Sequence, residues 1–216
     1  MPEVSNALPS GYRLHEYRVE SVLGAGGFGL TYLATDANLN LKVALKEYLP
    51  SNFAARAEDS TVQPKAGEAA ESFQWGLQRF MDEAKTLASF HHPNIVRVMR
   101  FFEANSTGYM VMEFVDGRPL SEWIVTRRPL PQSTLQALVG PLLDGLEIIH
   151  KSGYLHRDIK PSNIFIREDG SAVLIDFGSA RHLTGADQEL TAVVSPGYAP
   201  FEQYHSHGNQ GPWTDL

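Results

Sequence analysis

The sequence contains no cysteine. That removes disulfides and thiolate metal sites and agrees with a reducing cytoplasm, the compartment expected here. It has no surplus of positive charge. Eighteen Lys and Arg stand against 25 Asp and Glu, for a net charge of −7. Nucleic-acid binders usually carry a basic face, so no nucleic-acid partner is expected. A small phosphorylated ligand needs only a local cation and stays open. Long apolar runs are missing too. Nothing approaches the roughly 18–20 residues of a membrane span. The N-terminus, MPEVSNALPSGYRL, lacks a basic start followed by an apolar stretch, so neither a leader nor a membrane segment is expected. Internal repeats and low-complexity tracts are absent.

What is there suffices for a folded core. Of 216 residues, 43% are hydrophobic and 20% charged, which suits one large domain or two small lobes. Residues 1–16 read as a polar, loosely ordered lead-in. The stretch YRVESVLGAGGFGLTYLATDANLNLKVALKEYL alternates apolar and polar residues around glycines and a DANLN turn, predicting three strands. Residues 50–72, rich in Ala, Glu, Ser and Pro, read as an exposed insertion with no assignable role. Phe73, Leu77, Phe80, Met81, Ala84, Leu87 and Ala88 mark one helical face. A strand pair turning at Ala104–Gly108 follows. A second helix carries Leu135, Leu138, Val139, Leu142, Leu143, Leu146 and Ile149, stops at Gly153, and holds Pro141 as a candidate kink. LHRDIKPSNIFIREDGSAVLIDFG then reads as loop, strand, turn, strand.

Gly24, Gly26 and Gly29 form G-x-G-x-x-G. Glycines let backbone N–H groups approach a phosphate closely, but an ordinary Gly-rich hairpin has the same letters. In a dinucleotide-binding fold such a loop opens a helix; here Leu30–Thr35 alternates as a strand would. Lys46 is one cation in the apolar strand Val43–Lys46. It is either an edge residue facing water or a phosphate holder that needs an anion such as Glu83. HRDIKPSN is more specific. His156, Arg157, Asp158, Lys160 and Asn163 crowd a loop between apolar segments, an expensive arrangement unless they bind a ligand or each other. Thirteen residues beyond Asn163 comes Asp176-Phe177-Gly178. An Asp and an Asn together offer oxygen ligands to Mg²⁺, and a second Asp can accept a hydroxyl proton.

In order, LGAGGFG, VALK, Glu83, MEFVDG, HRDIKPSN, DFG and, more loosely, YAPFEQ resemble the signature set of the eukaryotic-like protein kinases, in their bacterial serine/threonine branch. The resemblance runs from about Tyr17 to the last residue. It implies an α+β, protein-kinase-like two-lobe fold. A small antiparallel-sheet N-lobe would occupy 17–115, with the insertion at 50–72, and a mainly helical C-lobe would occupy 116–216. It further implies ATP and Mg²⁺ as cofactors and a protein substrate with a Ser/Thr acceptor, autophosphorylation included.

By the same resemblance, Leu23, Gly24, Gly26, Gly29 and Thr31 cover the nucleotide. Lys46 holds its α/β-phosphates with Glu83 as ion-pair partner. Ala44 and Phe165 flank adenine, Met112 is the gatekeeper, and the backbones of Glu113 and Val115 bond adenine. Asp158 is the base, Lys160 neutralises the transferring phosphate, and Asn163 and Asp176 hold the metal. Leu87, Val98, His156 and Phe177 stack as a spine. Ser195 bonds Asp158 and Lys160, and Thr191 and Thr184 are candidate phosphosites that Arg157 could order. Thr31, where the family usually has Val, and the loose YAPFEQ are departures.

GPWTDL, the last six residues, reads as a helix opening, with Asp215 resembling the acid that bonds the HRD backbone. The C-lobe is therefore expected to be incomplete, to expose apolar faces on helix 133–150, and to need a partner or a further C-terminal segment. No cationic partner is expected for Glu202. The alternatives are a catalytically inactive nucleotide-binding or interaction module, a small-molecule kinase on a related fold and, more distantly, a dinucleotide oxidoreductase. Scattered histidines, His205 and His207 among them, could also suggest a metal site.

Overall fold

The structure, a computed structural model, describes residues 6–177, the backbone of 181–182, and residues 195–205 and 208–216. The chain forms two compact units. One holds the residues up to Ser89 together with Arg97–Phe114; the other holds Phe90–Val96 and Val115–Leu216.

The first unit is a six-stranded antiparallel sheet with one long helix. Its elements are β1 (Arg13–Leu14), β2 (Tyr17–Gly26), β3 (Gly29–Asp36), β4 (Leu41–Tyr48), β5 (Ala54–Arg56), β6 (Val62–Pro64), α1 (Glu68–Leu87), β7 (Val98–Ala104) and β8 (Thr107–Glu113). The sheet order is β1-β2-β3-β4-β8-β7, and β5 pairs only with β6. Strands β2, β3 and β4 and the pair β7–β8 form where the alternation predicts them. In β3 every second side chain is buried (Leu30, Tyr32, Ala34 and Asp36), the mark of a strand with one face to a core. Asn105 and Ser106, at φ of 50° and 59°, make the tight two-residue turn between β7 and β8.

Helix α1 buries Phe73, Phe80, Met81, Ala84 and Leu87, a subset of the predicted face. Tyr48 packs against it, its ring centroid 5.3 Å from that of Phe73 and 5.7 Å from that of Phe80. Burial pushes the Tyr48 hydroxyl up to about 12, so it stays protonated. Gly76 makes this contact possible, because a Cβ there would sit 2.0 Å from Tyr48 Oη. Gly76→Ala should therefore destabilise this unit by about 1–3 kcal/mol through overpacking. The gain in helix propensity from Gly to Ala opposes it with at most about 1 kcal/mol. A urea titration reads the difference.

Two sequence expectations change here. From Asn6 on the lead-in is not loose: Leu8 and Leu14 are buried, Leu8 N–H donates to Tyr32 Oη at 3.1 Å, and Gly11 N–H donates to Val19 O at 2.8 Å. The insertion is not simply exposed either. Ala54 and Val62 are each 1% exposed, β5 and β6 form a hairpin, and α1 already begins at Glu68. Polar composition concealed both, because few side chains in each carry the burial.

The second unit contains β9 (Gly117–Pro119), α2 (Leu120–Trp123), α3 (Gln132–Lys151), β10 (Tyr154–Leu155), β11 (Ile164–Arg167), β12 (Ala172–Leu174) and β13 (Arg181–His182). Helix α3 runs through Pro141 and buries Leu138, Leu142, Leu146 and Ile149. Leu135, Val139 and Leu143, on its other side, are 43–47% exposed. Strand β11 sits between β12 and β9, and β10 pairs with β13. No helix among the described residues is long and apolar enough to cross a membrane.

Candidate active site

In the first unit, the glycine run is a hairpin. Gly24 pairs with Thr31, Ala25 with Leu30, and Gly26 with Gly29. The strand that continues from Gly29 rules out the loop-to-helix geometry of a dinucleotide site. A Cβ at Gly24, Gly26 or Gly27 would meet nothing within 4 Å. Packing within the fold does not require glycine there, and the backbone lies open to a ligand. Gly29 differs: its φ is 149°, and a Cβ would lie 1.9 Å from Glu47 O. Leu23 and Phe28, at the rim, are exposed.

The sheet register sets the next residues. Thr31 lies opposite Lys46 on β4, and Lys46 opposite Met110 on β8. Gly24, Thr31, Lys46 and Met110 thus form one rung across four strands. Ala44 lies two residues back on the same face, opposite Leu33 and Met112. Met112 is buried. Glu113, at the end of β8, donates its N–H to Arg97 O at 2.9 Å. Glu83 is half-buried on α1, and Leu87 and Val98 are buried.

In the second unit, the loop after β10 gathers the charged residues. Asp158 carries two sets of contacts. Its Oδ2 accepts from Lys160 Nζ at 2.8 Å and from Asn163 Nδ2 at 2.8 Å. Its Oδ1 accepts from Ser195 Oγ at 2.6 Å. Lys160 Nζ also donates to Ser195 Oγ at 2.8 Å. The bonds expected of Ser195 are thus present. Asn163, 7% exposed, spends its amide N–H groups on Asp158 Oδ2 and Asp158 O, which leaves its carbonyl oxygen as an acceptor. Ile175 N–H bonds Asn163 O at 2.8 Å, bringing the adjoining Asp176, which is exposed at φ 63°, beside Asn163. An amide oxygen and a carboxylate are the ligand types that a hard cation such as Mg²⁺ takes. Phe165 is half-buried on β11, and Val115 is buried.

The loop backbone is held from below. Asp215 Oδ1 accepts from Arg157 N–H at 2.7 Å, and Oδ2 accepts from His156 N–H at 2.8 Å. His150 Nε2 lies 2.8 Å from the same Oδ2. Arg157 is in the left-handed region, φ 66°, a conformation that costs a non-glycine residue about 1–3 kcal/mol unless its surroundings impose it. Asp215 imposes it at the N–H and Gln203 at the carbonyl, where Gln203 Nε2 donates at 2.9 Å. Sequence reasoning missed Gln203 and His150. The polar Gln203 within YAPFEQ, buried to 2%, was the available signal. Glu202 finds a neutral partner, the Thr214 hydroxyl at 2.9 Å. Thr214 also accepts from Gly211 N–H at 3.1 Å, so it caps the short 3-10 turn Pro212–Asp215 from inside. A cavity of about 70 Å³ beside the loop is lined by Arg157, Asp158, Ser195, Tyr198, Gln203 and Asp215. Gly178, Thr184, Thr191 and His207 lie outside the described residues.

His156 is fully buried and its ring packs at a tilt of 57° against Phe177, centroids 4.6 Å apart. Its Nδ1 accepts from Asp158 N–H, so Nε2 carries the proton and faces Ile175 O. Burial holds its pKa below the ordinary 6.5, against the raising pull of Asp215, Asp176 and Asp158. Burial pushes Asp215 the other way, but the bonds from His150, Arg157 and His156 outweigh it and leave its pKa lowered. Both shifts give the same sign. An unfolded imidazole takes up a proton near pH 6.5 and the buried one does not, so stability is lost as pH falls through that value. The Asp215 contribution is lost later, as pH falls through the ordinary carboxylate range. The His156 slope should reach about 1.4 kcal/mol per pH unit below pH 6.5. Thermal melts of wild type and His156→Phe between pH 8 and 5 check it, with the flatter profile expected for the variant.

Residues 17–215 match the protein kinase domain family. This chain belongs to the protein kinase family. The kinase domain is 34% identical over 180 residues to the probable serine/threonine-protein kinase YbdM of Bacillus subtilis, covering 83% of this chain and 63% of that protein. It is 32% identical over 202 residues to PknL of Mycobacterium tuberculosis, covering 93% and 46%. The apo form of PpkA-294 superposes with a TM-score of 0.82 at 42% identity, covering 98% of this chain and 75% of that one. These relatives set the kinase domain in the bacterial serine/threonine branch. The chain spans less than two thirds of the curated relatives' length, 18% in the case of pkn2 of Myxococcus xanthus.

Proposed function

We propose that this chain transfers the γ-phosphoryl group of ATP to Ser/Thr hydroxyls of proteins, itself included. The observation that carries the reading is the Asp158 carboxylate, fixed by Lys160, Asn163 and Ser195 beside the small cavity. Asp158 receives the acceptor hydroxyl's proton as that oxygen bonds the γ-phosphorus and the bond to the β–γ bridging oxygen breaks. Lys160 lies next to the base and neutralises charge on the phosphoryl group in transit. Asn163 and Asp176 hold Mg²⁺, which screens the phosphates. Lys46 holds the α/β-phosphates, with Glu83 as its counter-ion. The open glycines Gly24 and Gly26 admit the phosphate chain, and Ala44, Met112 and Phe165 form the adenine surroundings. Phosphoryl transfer demands positioning and charge neutralisation more than covalent chemistry, and these residues provide both.

The test is transfer of labelled phosphate from ATP with Mg²⁺ by the purified chain, to itself and to a generic acceptor protein. Asp158→Asn and Lys46→Ala run in parallel. Label in wild type that vanishes in both variants supports the reading. Absence of label in a wild-type sample that binds ATP overturns transfer by this chain and leaves a nucleotide-binding module.

A further inference from the structure

Glu47 is the one carboxylate of the first unit that is completely buried among its described residues, and the transfer reading gives it no task. It follows Lys46 on β4 and points to the opposite face of the sheet. Its Oε1 accepts from Tyr109 Oη, and its Oε2 accepts from Tyr32 Oη at 2.8 Å and from Arg56 Nη2. Burial and the Glu47 charge both push the two phenols above their ordinary range, so both donate. The Arg56 and Glu47 side chains are 7% and 0% exposed.

Arg56 comes from the insertion. Its Nε donates to Asn6 O at 2.7 Å and its Nη1 to Ser60 O at 2.9 Å, and Nη2 also reaches Tyr32 Oη at 3.4 Å. One guanidinium thus ties together the lead-in, the β5–β6 hairpin and the end of β4. A buried ion pair seldom adds much net stability, but one held by further hydrogen bonds on both partners fixes geometry.

The geometry it fixes belongs to the nucleotide-facing parts. Gly29 rests on the Glu47 carbonyl, so closely that a Cβ there would clash at 1.9 Å. Leu49 N–H donates to Phe28 O at 3.0 Å, at the tip of the glycine hairpin. Tyr48 packs on α1, the helix of Glu83. The segment Lys46–Leu49 therefore bears on the glycine hairpin, the lysine and the helix at once. We propose that Arg56 is a positioning residue for the phosphates of ATP: paired with buried Glu47, it fixes the end of β4 against which the glycine hairpin, Lys46 and α1 are set. The insertion is then part of the scaffold of the nucleotide site. This rests on the reading of that site as one for ATP.

The test compares the affinities of wild type, Arg56→Leu and Lys46→Ala for MgATP and for adenosine, which lacks the phosphates. Binding is measured at a temperature where circular dichroism shows each variant folded. Arg56→Leu should weaken MgATP on the order of tenfold, the range of coupling through a packed network, and change adenosine by less than about twofold; Arg56→Lys should recover part of the loss, since it restores the charge without the fork. Equal weakening of both ligands, or unchanged MgATP binding, overturns the positioning role. If Arg56→Leu does not fold, Glu47→Gln, which keeps the shape of the side chain, is judged by the same ratio. Lys46→Ala separates the two readings. If it binds MgATP as wild type does, the phosphate reading fails and takes the proposal with it; if it weakens MgATP and Arg56→Leu does not, the proposal alone fails.

Discussion

Asp158→Asn is expected to lower phosphate transfer by roughly a hundred- to ten-thousand-fold, the usual worth of a positioned general base, with MgATP affinity within about twofold of wild type. The two halves of that expectation have separate causes. Asparagine keeps the volume of aspartate, and its Oδ1 can still accept from Lys160 or Asn163. It cannot take up a proton, and one amide edge now presents N–H where Ser195 or Lys160 also donates. The network of three donors around the carboxylate thus loses acceptor capacity as well as charge. Initial rates at saturating ATP read the first half, and a direct binding titration reads the second. A variant that retains most of its rate would remove Asp158 from the chemistry.

The largest effect on stability belongs to Asp215→Ala. Three bonds end on this carboxylate, two of them from the backbone N–H groups of His156 and Arg157. Each bond to a charged acceptor is worth about 1.5–3 kcal/mol, and the buried N–H of His156 would be left without an acceptor. The two backbone bonds alone set a loss of about 3–6 kcal/mol. Domains of ordinary stability hold only about 5–15 kcal/mol, so the second unit would sit near its unfolding threshold. His150→Ala removes one of the three bonds and leaves both backbone bonds, so it should cost roughly a third as much. Chemical denaturation of the two variants gives the order. Near-equal losses would show that the imidazole, rather than the backbone clamp, carries the stability at this point.

The sequence disclosed β2–β4, β7–β8, β11–β12, both long helices and the charged loop because each announces itself locally. Period-two alternation marks β3 and β4, one apolar stripe marks α1, and the crowding of charge in HRDIKPSN is expensive unless those residues bind a ligand or each other. Bonds over long separations escaped it. Gln203 meets the Arg157 carbonyl 46 residues away and His150 meets Asp215 65 away, and neither leaves a periodic trace. Arg56 was hidden for another reason. Its segment is polar in composition, and only the pairing with Glu47 turns an outwardly loose stretch into a buried one. The left-handed Arg157 is likewise invisible in the letters, because nothing local favours that conformation in an arginine.

The clamp beneath the catalytic loop also has an order in time. Asp215 follows the two N–H groups it bonds by 59 and 58 residues. A ribosome adding about 5–20 residues per second needs roughly 3–12 s to travel from the loop to its acceptor. Throughout that interval those two donors lack their native acceptor, and nothing from Asp215 holds Arg157 in its left-handed conformation. The backbone of His156 and Arg157 thus gains this acceptor only long after the loop itself has been made.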